Sequence, residues 1–222
     1  MKYKLVIFDW DGTLVDSTGR IVDSMQQASI EVGLPTVPDS AVQNIIGLGL
    51  PEALRTVWPQ INPEQLSEMT QVYARNFVYD SKVAMAFFSG VAELFRDLRA
   101  SGRQLAVATG KSRKGLNRMF NDLQIDGRPV GDQFTASRCA DETRSKPDPL
   151  MLQELLDELG VPGEAALMVG DTSFDLDMAK NLGMDSIAIS HGAHDNDVLL
   201  SCQPKALCHS ITELNKWIQQ NG

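Results

Sequence analysis

Lys4-Leu5-Val6-Ile7-Phe8-Asp9-Trp10-Asp11-Gly12-Thr13 is the stretch on which the reading of this chain turns. A short apolar run rich in β-formers predicts a buried strand. It stops abruptly in two carboxylates one residue apart, followed by Gly and Thr. In an open α/β sheet, ligands bind just outside the carboxyl ends of the strands, so Asp9 and Asp11 stand where chemistry would sit. Asp-Gly alone also marks an ordinary turn. The choice depends on what the rest of the chain brings to the same edge.

Outward from this strand the pattern splits in two. Beyond residue 90, apolar strands at 104–109, 134–137, 165–169 and 186–189 alternate with amphipathic helices. Those helices carry Val91/Leu94/Phe95/Leu98, Leu116/Met119/Phe120/Leu123, the run 149–159, Leu176/Ala179/Leu182 and the run 211–220. Strands separated by helices predict an α/β fold with a parallel sheet covered on both faces. Between Ser17 and Val83 there is no strand pattern. Ile21, Met25, Ala28 and Val32 fall on one helical face, with Asp16 or Ser17 as its cap. Gly33, Pro35 and Pro38 end that helix. A second helix runs from Asp39 or Ser40 to Ile46, Gly47-Leu48-Gly49-Leu50-Pro51 breaks it, and helix resumes over 52–57. Asn62-Pro63-Glu64 opens a last one, an N-cap followed by Pro at the first helical position. This is a helical block inserted directly after the first strand.

Composition narrows the function. The chain has 222 residues, 43% of them hydrophobic, ample for a packed core. Its net charge of −9 argues against nucleic acid, because binding a polyanion needs a basic face to displace counterions. Cys139, Cys202 and Cys208 are widely spaced without a CxxC and read as reduced thiols. Cys202, Cys208 and His209 lack a fourth ligand and the usual spacing for a metal site. No apolar stretch approaches membrane-spanning length, so the expectation is a cytoplasmic protein with no membrane or nucleic-acid partner, monomeric or homodimeric.

The polar groups at the strand ends can then be collected. The first strand ends in Asp9 and Asp11, the second in Thr109 followed by Gly110 and Lys111, and the 165–169 strand in Gly170-Asp171, with Asp175 four residues on. Ser145-Lys146-Pro147-Asp148-Pro149 places a lysine before a helix start. In a parallel sheet these ends share one edge. Two carboxylates about 4 Å apart at an effective dielectric near 20 repel by roughly 4 kcal/mol. A site holding Asp9, Asp11, Asp171 and Asp175 must therefore protonate some of them or bind a cation. All-oxygen ligands select a hard ion, and Mg²⁺ is the natural choice. A cation, Lys146 and the Thr109 hydroxyl facing a carboxylate pair make a site for a phosphoryl group. No histidine is placed to act as base, so one Asp can serve as nucleophile through an acyl phosphate and another as general acid and base.

Asp9-Trp10-Asp11-Gly12-Thr13, Thr109, Lys146 within SKPDP, and Gly170-Asp171 with Asp175 resemble, in order, the four motifs of the haloacid dehalogenase superfamily. The resemblance implies a Rossmann-like three-layer core over 1–15 and 85–222, with a small α-helical cap over 16–84. It implies Asp9 as nucleophile and Asp11 as acid and base. Mg²⁺ would sit on the Asp9 carboxylate, the Asp11 backbone carbonyl and Asp171, with Asp175 a ligand or one step removed. Thr109, Gly110, Lys111 and Lys146 would hold the phosphoryl group, and Gly47, Leu48 and Gly49 correspond to the cap loop lowered onto substrate. An Asp at position 11 points to phosphate esters rather than dehalogenation. Phe88-Ser89-Gly90-Val91 resembles the return into the core, and Asp16-Ser17 the cap hinge.

The branch resembled is that of phosphoglycolate phosphatase and β-phosphoglucomutase, so a small phosphorylated metabolite is the expected substrate. The chain departs from the phosphoglycolate pattern at Thr18-Gly19-Arg20, which leaves a sugar or amino-sugar phosphate as an alternative. Ile21 stands where the mutase branch carries histidine, which disfavours a phosphomutase. Arg55 reads as a solvated helix residue and Arg113 as loop charge, while His191 and His194 read as surface residues near the site mouth.

Overall fold

The computed structural model describes all 222 residues. Strand β1 (Leu5–Phe8) is buried along its whole length. Its alternating side chains enter two different cores. Val6 and Phe8 join Leu94, Phe95, Leu105, Val107, Leu214 and Ile218 on one face, and Leu5 and Ile7 join Met151, Leu155, Met168 and Met178 on the other. Period-two alternation sends neighbours to opposite faces, and burying each such side chain contributes about 1.5–3 kcal/mol. A strand with two apolar faces needs helices on both, which the rest of the chain supplies.

After β1 come β2 (Val15–Asp16), helices α1 (Thr18–Val32), α2 (Asp39–Gln43), α3 (Leu50–Val57) and α4 (Pro63–Arg75), a π-helical turn over Asn76–Asp80, and β3 (Ala86–Phe87). Then follow α5 (Val91–Ala100), β4 (Gln104–Thr109), α6 (Arg113–Asp122), the two-residue strands β5 (Gln124–Ile125) and β6 (Arg128–Pro129), β7 (Ala136–Cys139) and α7 (Leu150–Leu159). The chain ends with β8 (Ala166–Gly170), α8 (Ser173–Asn181), β9 (Asp185–Ile189), α9 (Asn196–Ser201), β10 (Ala206–Cys208) and α10 (Ile211–Asn221). Six strands form one parallel sheet in the order β10-β9-β8-β1-β4-β7. Phe8 pairs with Val107 of β4 and Val169 of β8, so the three strands end level with one another. The chain builds to one side of β1 through β4 and β7, then returns to the other through β8. That reversal is the switch point at which such sheets bind ligands.

Helices α1 to α4 bury a core of their own, with Met25, Leu54, Trp58 and Met69 at its centre. The segment leaves and rejoins the main body through an antiparallel ribbon that pairs Val15 with Phe87 and Asp16 with Ala86. Gly33 ends α1 in the left-handed conformation, φ 73°. Asn62 accepts a hydrogen bond from the Gln65 amide at 2.8 Å while Gln65 reaches back to the Asn62 amide, a reciprocal cap for α4.

Several boundaries differ from expectation. The strand expected over 134–137 lies at Ala136–Cys139, because Phe134 packs with Trp10, Phe95 and Phe120 instead of entering the sheet. The helix expected to reach Ile46 ends at Gln43. Ala165 closes a 3₁₀ turn before β8. Strand β10, helix α9 and the β5–β6 hairpin were not foreseen. No helix is long and apolar enough to cross a membrane.

Candidate active site

The level ends of β1, β4 and β8 bring Asp9, Thr109 and Asp171 to one edge. Asp9 extends the sheet by one residue, its amide donating to Val169 O at 2.9 Å. The chain then turns sharply at Gly12, φ 79°, where the Gly12 amide donates to Val15 O. A β-carbon at Gly12 would lie 2.3 Å from Asp171 Oδ2. Only glycine allows both the dihedral and the approach of the two carboxylate-bearing loops.

Below this edge lies a buried charge cluster. Lys146 is wholly buried, its Nζ 2.7 Å from Asp9 Oδ1 and 2.6 Å from Asp175 Oδ1. The Asp175 contact is a hydrogen bond. Asp9 Oδ1 meets the Lys146 ammonium and nothing else, and Asp9 Oδ2 has no donor at all. Asp175 Oδ2 accepts from the Thr172 hydroxyl at 2.6 Å and its amide at 3.2 Å, so both Asp175 oxygens are occupied. Asp171 is held by the Thr13 hydroxyl at 2.5 Å and the Ala193 amide at 2.8 Å. Ligand oxygens of Asp9, Asp171 and Asp175 lie within 4.8 Å of one another.

Three carboxylates share one ammonium here, and the proton affinities of Asp9 and Asp171 respond. Burial pushes Asp9 up to about 7, with Asp175 and Asp11 adding to it and Lys146 opposing. Burial, then Asp9 and Asp175, raise Asp171 well above the usual carboxylate range. Burial disfavours the Lys146 ammonium, but Asp175 and Asp9 outweigh that and hold it charged.

Asp11 is turned away from the cluster. Its Oδ1 accepts from Ser17 Oγ at 2.6 Å, and Lys111 Nζ reaches Oδ1 and Oδ2 at 3.0 and 2.9 Å. Ser17 was expected to cap α1 and makes no side-chain cap, because Asp11 engages its hydroxyl. Asp16 is exposed. Lys111 also lies 4.6 Å over the Phe77 ring. Above these groups is a cavity of about 460 Å³, floored by Asp9, Asp11, Thr109, Gly110 and Lys111 and roofed by α1, α3, α4 and the 45–48 turn. Gly47 and Leu48 line it; Gly49 and Lys146 do not. The turn is seated on the main body. A β-carbon at Gly110 would lie 2.5 Å from Leu48 O and 2.6 Å from Gly47 O, and the Gly49 amide donates to Ser145 Oγ at 2.8 Å.

The model of the haloacid dehalogenase-like hydrolase family matches residues 6–189, a span that contains Asp9, Asp11, Thr109, Lys111, Lys146, Asp171 and Asp175. The chain belongs to this family. It is 28% identical over 228 residues to a phosphoglycolate phosphatase of Vibrio cholerae, covering 95% of each chain. It is 31% identical over 217 residues to the probable phosphatase IndB of Dickeya dadantii, covering 95% of this chain and 91% of that one. A hydrolase from Pseudomonas syringae superposes with a TM-score of 0.87 at 19% identity over 100% of this chain and 99% of that one.

Membership in the haloacid dehalogenase-like hydrolases implies Mg²⁺, and the residues fit it. Asp9 is buried with no partner on Oδ2, the ligand atoms are all oxygens, and one lysine leaves three adjacent carboxylates short of positive charge. Asp175, with both oxygens engaged, is better arranged to orient Lys146 than to ligate. The Asp11 carboxylate stands outside the three-carboxylate group.

Of the remaining candidates, His191 and His194 are half-buried rather than on the surface. His191 stacks on Phe88 at 3.7 Å and contacts Thr13 O. His194 accepts from the Ser173 amide and approaches Asn44 O, bridging the main body to the inserted helices. Burial lowers the proton affinity of both rings. Arg113 is tied to Glu142 and Ser137, and Arg55 is exposed. The Asp171 supports Thr13 and Ala193, and the pairing of Lys111 with Asp11, went unread in the sequence. Thr13 sat within the opening motif and was the available signal. Nothing local marked Ala193.

Proposed function

We propose that the chain is a Mg²⁺-dependent phosphatase acting on a small phosphorylated metabolite through an aspartyl-phosphate intermediate. The observation that carries this reading is Asp9, a buried carboxylate at the switch point of the sheet that lines the cavity, with Oδ1 against Lys146 and Oδ2 left without a partner. Such a group is poised to attack. An Asp9 oxygen forms a bond to phosphorus as the ester oxygen leaves with a proton from Asp11. Water then attacks the aspartyl phosphate, loses its proton to Asp11, and frees Asp9 and inorganic phosphate. Thr109 donates to a phosphoryl oxygen, and Lys146 supplies fixed positive charge. Bound Mg²⁺, held by Asp9, Asp171 and the Asp11 backbone carbonyl, would offset the phosphoryl charge.

Residues 16–84 act as a cap in this reading, hinged at the Asp16–Ala86 ribbon, with the 47–49 turn closing on Gly110 and excluding water. Ile21 lines the cavity with a hydrocarbon side chain and offers no proton shuttle, which favours hydrolysis over phosphomutase chemistry. A cytoplasmic location accords with the reading. The test is phosphate release with and without Mg²⁺, in the native chain and in Asp9→Asn. The expected result is metal-dependent release that Asp9→Asn abolishes; unchanged release by that variant would refute the assignment of the nucleophile.

A further inference from the structure

We infer that the substrate's leaving group is apolar, an alkyl or aryl-methyl alcohol, rather than a second acid or a polyhydroxylated sugar. The inference rests on the phosphatase reading and concerns the other end of the same cavity. The roof is built from Ile21, Met25, Ile45, Leu50, Phe77 and Val78 among others. No lysine, arginine or histidine of the inserted helices lines it, and the one charged residue they contribute is Glu52.

The two cations that the main body brings are already engaged. Lys111 is bound to both Asp11 oxygens at the catalytic end. Arg118 sits at the mouth with its guanidinium 5.0 Å from the Tyr79 ring centroid and its Nε 3.4 Å from Asp122. A carboxylate such as that of phosphoglycolate would thus lie against hydrocarbon, with Glu52 as the roof's one charge and no free counterion, which is disfavoured.

A sugar fares little better. Its hydroxyls would need several partners, and the roof's hydroxyls are Thr70 and Tyr73. Thr70 donates back to Leu66 O at 2.8 Å, so the roof's side chains offer a sugar the Tyr73 phenol and, as acceptors only, the Thr70 oxygen and the Glu52 carboxylate, fewer partners than a hexose needs. A volume of about 460 Å³ falls within the small-ligand range, so the apolar space is large enough to hold a hydrocarbon group beside the phosphoryl group. What such a roof rewards is removal of hydrocarbon from water.

The test uses esters of alkyl alcohols throughout, so that leaving-group chemistry is matched. kcat/KM is measured with Mg²⁺ for ethyl, butyl, hexyl and benzyl phosphate, phosphoglycolate and a hexose phosphate. The expected result is a rise of up to about fourfold per methylene along the alkyl series. Benzyl phosphate should exceed phosphoglycolate and the hexose phosphate by at least about tenfold. A flat series, or phosphoglycolate or the hexose phosphate in the lead, overturns the inference. Calorimetric affinities for Asp9→Asn with Mg²⁺ and the same esters should follow the same order without turnover. If that order holds while no ester releases phosphate, the phosphatase reading falls and the apolar site stands. If phosphate is released but the order reverses, the apolar site falls alone. Thr70→Lys, which sets an ammonium in the roof, should shift the ratio of phosphoglycolate to benzyl phosphate toward the acid by at least about tenfold; an unmoved ratio counts against the inference.

Discussion

The floor and the roof of the cavity are built on opposite principles. On the floor, charged side chains are buried and their geometry is over-determined. Asp171 has two donors, Asp175 three, and Lys146 two carboxylates. Asp9 alone among the carboxylates keeps an oxygen with no partner, and it is the group proposed to react. The roof is hydrocarbon on helices with a separate core, joined to the floor by a two-stranded ribbon and a few contacts at Gly110, Ser145 and His194. The difference teaches where each property resides. In the proposed function, chemistry belongs to a tightly bonded polar edge that tolerates little change. Choice of substrate would then belong to an apolar surface that can be repacked at modest cost.

Substitutions on the floor should break the comparison hardest. Asp9→Asn should lower phosphate release by at least about 10⁴-fold, since removing a nucleophile removes the covalent route. Because it also removes a buried negative charge, its metal-free melting temperature should equal or exceed that of the native chain. A thermal scan beside the activity assay checks both.

Lys146→Met leaves Asp9 and Asp175 buried without their counterion. Breaking such a pair costs about 3–5 kcal/mol, so denaturant titration should show a loss of that order, with activity absent. At the seam between floor and roof, Gly110→Ala drives a methyl into Leu48 O and Gly47 O. Displacing the closing turn by about 1 Å should lower kcat/KM by about 10²-fold, with little change in melting temperature. A loss of stability matching that of Lys146→Met would mean the turn is structural and not a closing element.

The pH dependence sharpens the contrast further. Asp9, raised to about 7, and Asp171, also raised, bind protons more tightly folded than unfolded. The stability this contributes is complete below the unfolded carboxylate range near pH 4 and is lost as pH rises through about 7. With metal chelated, the melting temperature should therefore fall between about pH 5 and pH 8. Excess Mg²⁺ should flatten that slope and raise stability by about 2.7 kcal/mol at a hundredfold excess over its dissociation constant. The smallest effect is expected on the roof's outer surface, where Arg55→Ala should change stability by no more than about 0.5 kcal/mol and leave activity intact.

Much of the floor was legible in the sequence because its residues sit at strand ends, and strand ends in a parallel sheet share an edge. β1, β4 and β8 were readable as apolar runs, Asp9, Thr109 and Asp171 followed from them, and Lys146 stood out within Ser145-Lys146-Pro147-Asp148-Pro149 before a helix start. What escaped was short or non-local. Strand β10 spans three residues, too few for a period to register. The β5–β6 hairpin carried a usable signal, Asp126-Gly127, whose φ values of 52° and 75° suit a tight hairpin turn. Ser17 looked like a helix cap because cap propensity is local, whereas its bond to Asp11 depends on the turn at Gly12. His191 and His194 carried no local partner, and their contacts with Thr13, Asn44 and Ser173 exist only after folding. The apolar roof could not be read either, since which face of each inserted helix meets the cavity is set by tertiary packing.

The most direct measurement of the central claim is an acid-quenched single turnover with Mg²⁺, followed by mass analysis of the peptide that carries Asp9. A transient phosphoryl group on Asp9, absent without metal and absent in Asp9→Asn, is the predicted result. Phosphate released with no phosphorylated peptide at any time, or a phosphoryl group found on another residue, would contradict it.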